Sequence, residues 1–272
     1  MARIVNGADY GAKHGTTMIP GGTRFQEKMG TPQGVAIAMF PQFRDSVVYV
    51  EDDFIEDTIS GTRWNLAADG TATTFAWTAA AGGTIQGATG GTDNGYHAIN
   101  GDVIWSGNKN AGMAVRLKID VVTGFTFEIG FTDALSDETL PAVTDVDTPA
   151  TGNGATDVAV IHLDTDQTLT TAALVSESTG SAYAAQKVNL GTFTPSAGNY
   201  YTFVVQLNGN NVFSRIYDSN SAQNPVLVSG SDKSLVTALA GGTLVRPHVL
   251  IGTRNTDSKT TDVDFIRVWA DR

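Results

Sequence analysis

Cysteine is absent from the 272 residues. That excludes a disulfide framework, thiolate zinc sites and a cysteine nucleophile. Histidine is scarce: His14, His97, His162 and His248 lie far apart, and no pair has the H-x-x-x-H spacing of a helical metal site. No run approaches the roughly 18 to 20 consecutive apolar residues that span a bilayer, so a membrane is not an expected partner. The opening Met-Ala-Arg-Ile-Val-Asn-Gly lacks the apolar core of a secretory signal, so synthesis is expected in a cytoplasm. There is no G-x-S-x-G elbow. The run Gly90-Gly91-Thr92-Asp93-Asn94-Gly95 lacks the lysine and the strand–loop–helix setting of a phosphate loop, and reads as a turn.

Charge is thin, at 17% of residues, and basic charge thinner still: 17 Lys and Arg against 28 Asp and Glu, for a net −11. Wrapping nucleic acid needs a basic surface, so nucleic acid is not an expected partner. The imbalance is uneven. Residues 1–50 hold five basic groups and three acidic ones, a net +2, so the rest of the chain carries −13. A slightly basic arm on an acidic body suits attachment, the body repelling its copies while the arm docks.

What the chain does have is 30 glycines and many short runs of β-branched and aromatic residues. Residues 1–46 are broken by Gly7, Gly11, Gly15, Pro20-Gly21-Gly22, Gly30, Pro32, Gly34 and Pro41, so neither a long helix nor a long strand fits. Yet they carry Ile4, Tyr10, Met18, Ile19, Phe25, Met29, Ile37, Met39, Phe40 and Phe43. Apolar side chains on an irregular segment need a surface to bury them: the body, a second copy or a partner. Val35–Phe40 reads as one short strand that could add to a sheet edge.

From Val47 onward, short strands alternate with turn residues. They run from Val47–Phe54 to Asp262–Trp269, and include Thr73–Thr78, Gly95–Ile99, Asp102–Trp105, Gly112–Ile119, Gly124–Thr132, Asp157–Leu163, Tyr200–Asn208, Asn211–Asp218 and Leu244–Gly252. Alternation predicts that Val115, Leu117 and Ile119 face a core, as do Tyr201, Phe203, Val205 and Leu207. Leu207-Asn208-Gly209-Asn210-Asn211-Val212 reads as a tight hairpin, since Asn and Gly tolerate positive φ. Ala134–Ala155 is too long for a hairpin and reads as a surface excursion. One short helix is expected at Ser231–Ala240. Strict alternation along the last strand puts Val263, Phe265, Arg267 and Trp269 on one face, and its expected partner is Val47–Phe54. The prediction is an all-β fold: an antiparallel jelly-roll β-sandwich over 47–272, preceded by an extended N-terminal arm over 1–46.

Asp52-Asp53-Phe54 followed by Trp64, the hairpin within Tyr200–Tyr217 and the closing Val263-Asp264-Phe265-Ile266-Arg267-Val268-Trp269 resemble the concanavalin A-like lectin/glucanase superfamily. The resemblance covers about residues 48–272. It implies a laminin-G-like jelly roll whose first and last strands lie side by side. It also implies a test for catalysis, because the family's hydrolases carry two carboxylates on one strand as Glu-x-Asp-x-x-Glu or Glu-x-Asp-x-Glu, roughly 5 Å apart for retaining chemistry. The one similar place is Phe127-Glu128-Ile129-Gly130-Phe131-Thr132-Asp133, with Gly130 at the middle acid and Asp133, a shorter side chain, at the second. The dyad is absent in usable form, so no enzyme activity is expected. For sugar binding the resemblance points to Trp77, Tyr96, Trp105 and Glu128, against the simpler reading that such aromatics fill a core. A structural calcium of related hydrolases maps to Asp264, although no loop here has the spacing of a calcium motif; otherwise no cofactor is expected.

The whole mixture, Cys-free, acidic, rich in Gly, Ala and Thr, with an apolar arm on a jelly roll, looks like bacteriophage virion proteins. It implies a capsid decoration or minor head protein located at the virion surface. Its partners would be a major capsid protein or other virion subunits, further copies of itself, and host-surface glycans. A carbohydrate-binding module and a diverged, inactive glycoside hydrolase are the alternatives.

Overall fold

The computed structural model describes residues 47–55, 59–78, 83–134, 143, 155–166, 171–178, 186–220, 225–236 and 238–272. The arm expected over 1–46, with its ten apolar anchors and its short strand, lies outside them. Tyr49–Ala270 form one compact unit, and Val47, Val48, Asp271 and Arg272 fall outside it.

Sixteen strands and one 3-10 turn make up the regular structure of the described residues. In chain order the strands are β1 (Val47–Asp52), β2 (Asn65–Ala68), β3 (Thr73–Thr78), β4 (Thr84–Ala88), β5 (Tyr96–Asn100), β6 (Gly112–Ile119), β7 (Phe125–Thr132), β8 (Asp157–Asp164), β9 (Ala173–Ser178), β10 (Gln186–Asn189), β11 (Tyr201–Asn208), β12 (Asn211–Asp218), β13 (Val226–Leu227), β14 (Lys233–Leu235), β15 (Arg246–Thr253) and β16 (Thr260–Asp271). They form two sheets. A nine-stranded sheet runs β13-β12-β11-β6-β16-β4-β3, with β1 added to β16 and β14 to β12; a seven-stranded sheet runs β10-β9-β8-β7-β15-β5-β2. Among the described residues no helix is long and apolar enough to cross a membrane.

The alternation read from the sequence builds the core. Val115, Leu117 and Ile119 of β6, with Tyr201, Phe203, Val205 and Leu207 of β11, face Phe127, Ile129 and Ile161 of the other sheet. Phe127 and Phe203 meet across the sandwich with ring centroids 5.4 Å apart. Burying each such side chain is worth roughly 1.5–3 kcal/mol. The β11–β12 hairpin closes with Asn208 opposite Asn211, so its loop is the two residues Gly209 and Asn210. Gly209 holds φ +55°, the left-handed conformation that glycine supplies without strain.

The first and last strands do pair, β1 with β16. The residues that suggested this have a structural task. Asp52 accepts the Phe54 N–H at 3.1 Å and the Trp64 indole N–H at 2.9 Å, clasping the end of β1 to the start of β2.

Three expectations fail, each for a local reason. A register shift between Val263 and Phe265 breaks the alternation of β16. Val263, Ile266, Val268 and Ala270 therefore enter the core, whereas Phe265, Arg267 and Trp269 turn the other way, since a bulge adds one residue and inverts the parity beyond it. The helix expected at Ser231–Ala240 is absent, and β14 pairs with β12 there instead. Ser231 is fully buried, and its hydroxyl exchanges hydrogen bonds with both backbone groups of Ile216, at 3.1 Å each, which ties the segment to the sheet. The strand expected at Asp102–Trp105 shrinks to a single bridge between Trp105 and Val245.

Candidate functional site

The seven-stranded sheet has a second face, turned away from the core shared with the other sheet. On β7 the side chains on it are Thr126, Glu128, Gly130 and Thr132. Polar residues of β8, β15 and β5 share the face: His162 and Asp164 from β8, Arg246 and His248 from β15, and Asn100 from β5. Register brings them together, with Glu128 opposite His162, and His248 opposite both Gly130 and Asn100.

The cluster is closed to solvent, with Glu128, His248 and Asn100 all at 0% exposure. The Glu128 carboxylate lies 2.9 Å from His248 Nε2 and accepts the backbone N–H of Val143 at 2.7 Å. His248 Nδ1 lies 2.6 Å from the Asn100 carboxamide oxygen. With the amide in that orientation both ring nitrogens must carry protons. With the amide turned over, Nδ1 accepts from the amide N–H2 and one ring proton suffices. Either arrangement leaves Nε2 donating to Glu128. His162 Nδ1 stands 3.9 Å from Glu128, close enough to feel its charge but too far for a hydrogen bond.

Burial is the largest influence on Glu128 and pushes its carboxyl upward. The His248 hydrogen bond, the charges of His248 and His162 and the Val143 N–H together outweigh it and hold the group below the ordinary carboxylate value. For His162 burial dominates and lowers its pKa, against the opposing pull of Glu128 and Asp164. The result is a carboxylate held ionised under a cap, with its lone pairs committed inside the protein.

Gly130, on the same face, leaves no room for the missing carboxylate. A Cβ there would lie 2.2 Å from the Ala159 carbonyl oxygen and 2.8 Å from Val160 Cα. Asp133 is engaged elsewhere: it accepts the backbone N–H groups of Thr156 and Asp157, both at 2.9 Å, and the Thr156 hydroxyl. Over the face lies Val143, fully buried and packed with Tyr96, Ala98, Val160 and Leu250. Ala134 and Ala155, which bound the expected excursion, join the same apolar cluster.

The structure scatters the four residues proposed for sugar contact. Tyr96 shares the outer face with Glu128, whereas Trp105 belongs to the central core. Tyr96, Trp105 and Glu128 are all buried, and only Trp77, 39% exposed on the sheet-edge strand β3, offers a ring to solvent. Asp264 is held by Arg116 at 2.6 Å on the outer face of the nine-stranded sheet, with its carboxylate committed to a guanidinium. Among the described residues no group of three or more His, Asp or Glu is placed to hold a metal.

The partners of Glu128 were not singled out in the sequence. Their signal was present: a lone polar residue inside an apolar strand, as in Ile161-His162-Leu163, Pro247-His248-Val249 and Ile99-Asn100.

No protein-family model matches the chain, and no curated protein matches its sequence. Solved structures match its shape. A protein of unknown function, SO2946 from Shewanella oneidensis MR-1, aligns with a TM-score of 0.55 at 12% identity, over 100% of this chain and 96% of its own. The seed lectin of Lotus tetragonolobus aligns at 0.52 and 10% identity, over 83% and 99%. The catalytic domain of an endo-1,3-β-glucanase (laminarinase) from Thermotoga petrophila RKU-1 aligns at 0.51 and 10%, over 82% and 97%. The fold is that of the concanavalin A-like lectins and glucanases. Identities this low establish the shape alone.

Proposed function

We propose that this chain is a non-catalytic structural module, a concanavalin A-like body that its N-terminal arm docks onto a larger assembly, with a bacteriophage capsid shell as that assembly. The observation that carries the non-catalytic part is the state of Glu128. It is fully buried, capped by Val143 and bonded to His248, and the neighbouring Gly130 position is filled by backbone. A hydrolase needs two carboxylates open to substrate; on this face Glu128 is covered, and Asp164 and Glu177 are buried as well, Asp164 paired with Arg254. The docking part rests on residues 1–46, whose Met, Phe and Ile side chains would gain about 25 cal/mol per Å² of apolar area buried on a partner, less the cost of ordering the segment. Charge supports it as well, an arm of net +2 tethering a body of −13. In this role the molecule is a decoration or minor head protein at the virion surface, its lectin-like body facing outward.

The test is truncation. Removing residues 1–46 should leave a folded body that no longer attaches to shells assembled from the major capsid protein. Attachment equal to that of the intact chain would overturn the arm's role. Hydrolysis of β-1,3-glucan that is lost on Glu128→Gln would overturn the non-catalytic reading.

One observation favours a second reading, carbohydrate binding. At the far end of the outer face a cleft of about 210 Å³ stays open, lined by Asp69, Asn94, Tyr96, Thr126, Leu250 and Arg254. The amide, hydroxyl and charged groups that line it suit the hydroxyls of a sugar. Retention on a glycan array that is lost on Asn94→Ala would support it; no retention of the intact chain would remove it.

A further inference from the structure

The two sheets end on strands that differ in how they meet solvent. At one end of the nine-stranded sheet β13 is only two residues long, and its neighbours carry Asp218, Asp232 and Lys233. At the ends of the seven-stranded sheet, β10 contains Lys187, and β2 has four residues flanked by Arg63 and Asp69. The added strand β1 carries Glu51 and Asp52. Short length and charge are how natural sheets keep their edges from pairing with other chains.

The fourth end, β3, has neither protection. It is six residues long, Thr-Thr-Phe-Ala-Trp-Thr, and holds no charge and no proline. The charge-free stretch extends well beyond the strand: residues 70–92, spanning the whole β3–β4 hairpin, contain no Asp, Glu, Lys, Arg or His. Thr73, Thr74, Ala76 and Trp77 are exposed, and among the described residues β3 pairs with β4 alone. Trp77 sits opposite Ile85, so its ring lies on the core-facing side of the sheet, at the open margin of the sandwich.

We propose that β3 is a self-association edge, at which two copies of this chain pair antiparallel through β3 and extend the nine-stranded sheet from one molecule into the next. The choice of a second copy follows from charge. A chain of net −11 repels its own copies over most of its surface, and they can approach without apposing carboxylates only where charge is absent. The edge of β3 away from β4 offers a main-chain ladder that is complementary to itself under two-fold symmetry. The paired arrangement also brings the exposed indole of Trp77 against the cross-strand neighbours of the other copy, a contact typical of stabilised strand pairs. The association is weak and concentration-dependent, because one six-residue strand pair is short of the roughly 1,000 Å² that a permanent interface buries. It is independent of docking through the arm, which involves residues 1–46.

The experiment is light scattering of the full chain over a rising concentration series, with the double variant Thr74→Lys, Ala76→Lys beside it. Both substituted positions are exposed, and circular dichroism checks that the variant folds. A two-fold edge places the new lysines of the two copies beside each other. The wild-type mass should climb from 28.6 kDa towards twice that value, and the variant should stay at the monomer mass over the same range. A wild type that remains monomeric throughout overturns the proposal. A variant that associates as the wild type does also overturns it, and assigns association to another surface, the arm included. Truncation of 1–46 that leaves the concentration dependence intact would add support, because it separates this edge from arm docking.

Discussion

The outward faces of the two sheets use the same side-chain chemistry under opposite conditions. On the nine-stranded sheet, Arg116 pairs with Asp264 at 2.6 Å and stacks over Tyr200 at 4.1 Å, Lys118 pairs with Asp262 at 2.8 Å, and Arg267 pairs with Glu51 at 2.6 Å while lying over the Phe265 ring at 4.0 Å. These groups keep contact with water, the paired side chains ranging from 12% to 33% exposed. On the seven-stranded sheet, Glu128 and His248 are also paired, but at 0% exposure. Near water, a lost partner is replaced by solvent, so each pair matters little. Under the Val143 cap nothing replaces it, so each member depends on the others. Paired side chains at similar distances on one fold should therefore respond very differently to the same substitution.

The sharpest way to break this contrast is Glu128→Ala. It strands His248 Nε2 and the Val143 N–H in a dry site, and should cost about 3–5 kcal/mol, read as a large fall in Tm. Glu128→Gln keeps an acceptor for Val143 and should cost about 1–2 kcal/mol. An alanine variant that melts like the wild type would show that the Glu128 cluster does not hold the outer face together.

The next effect is acid sensitivity, which the buried groups should show and the exposed pairs should not. His97, in the core against the Phe75 ring at 4.6 Å, is lowered to about 3 by burial. Its folded value lies below its unfolded one, so the unfolded chain binds more protons between about pH 3 and the ordinary histidine range. Stability therefore falls as pH falls through that window, by up to about 1.4 kcal/mol per pH unit from this one residue. Glu128, whose value is also depressed, contributes stability that is present above the ordinary carboxylate range and lost as pH falls through its lowered value. Denaturant titrations at several acidic pH values should show a shallower slope for His97→Leu than for the wild type. An unchanged slope would mean that the ring has access to water.

The smallest effect should come from the outer pairs. Arg267→Ala removes the Glu51 pair and the contact with Phe265, and should cost about 0–1 kcal/mol, less in high salt. A cost matching that of Glu128→Ala would erase the distinction between the faces.

The sequence carried most of the architecture because alternation is a local signal. Val115, Leu117 and Ile119, like Tyr201, Phe203, Val205 and Leu207, declare their face without knowledge of any partner. Where local reading failed, a distant contact decided. The parity of β16 depends on a bulge against Arg116, nearly 150 residues away, and the backbone of Ile216 holds Ser231 in the sheet. The site divides in the same way. Glu128 and the misfit of Gly130 were visible in one strand, but Asn100, His162 and His248 come from three others, and only the strand register places them around the same carboxylate. The cap is less legible still, because nothing in the composition of the Ala134–Ala155 excursion singles out Val143 as the residue that touches down.

The pairing of β1 with β16 sets an order of events. During synthesis the ribosome releases β1 more than two hundred residues before its neighbour exists. The nine-stranded sheet therefore cannot be finished until β16 has left the ribosome, so the seam between β1 and β16 closes late. Until then β1 lacks the neighbour it has in the finished sheet, and an exposed strand edge of that kind is open to pairing with other chains.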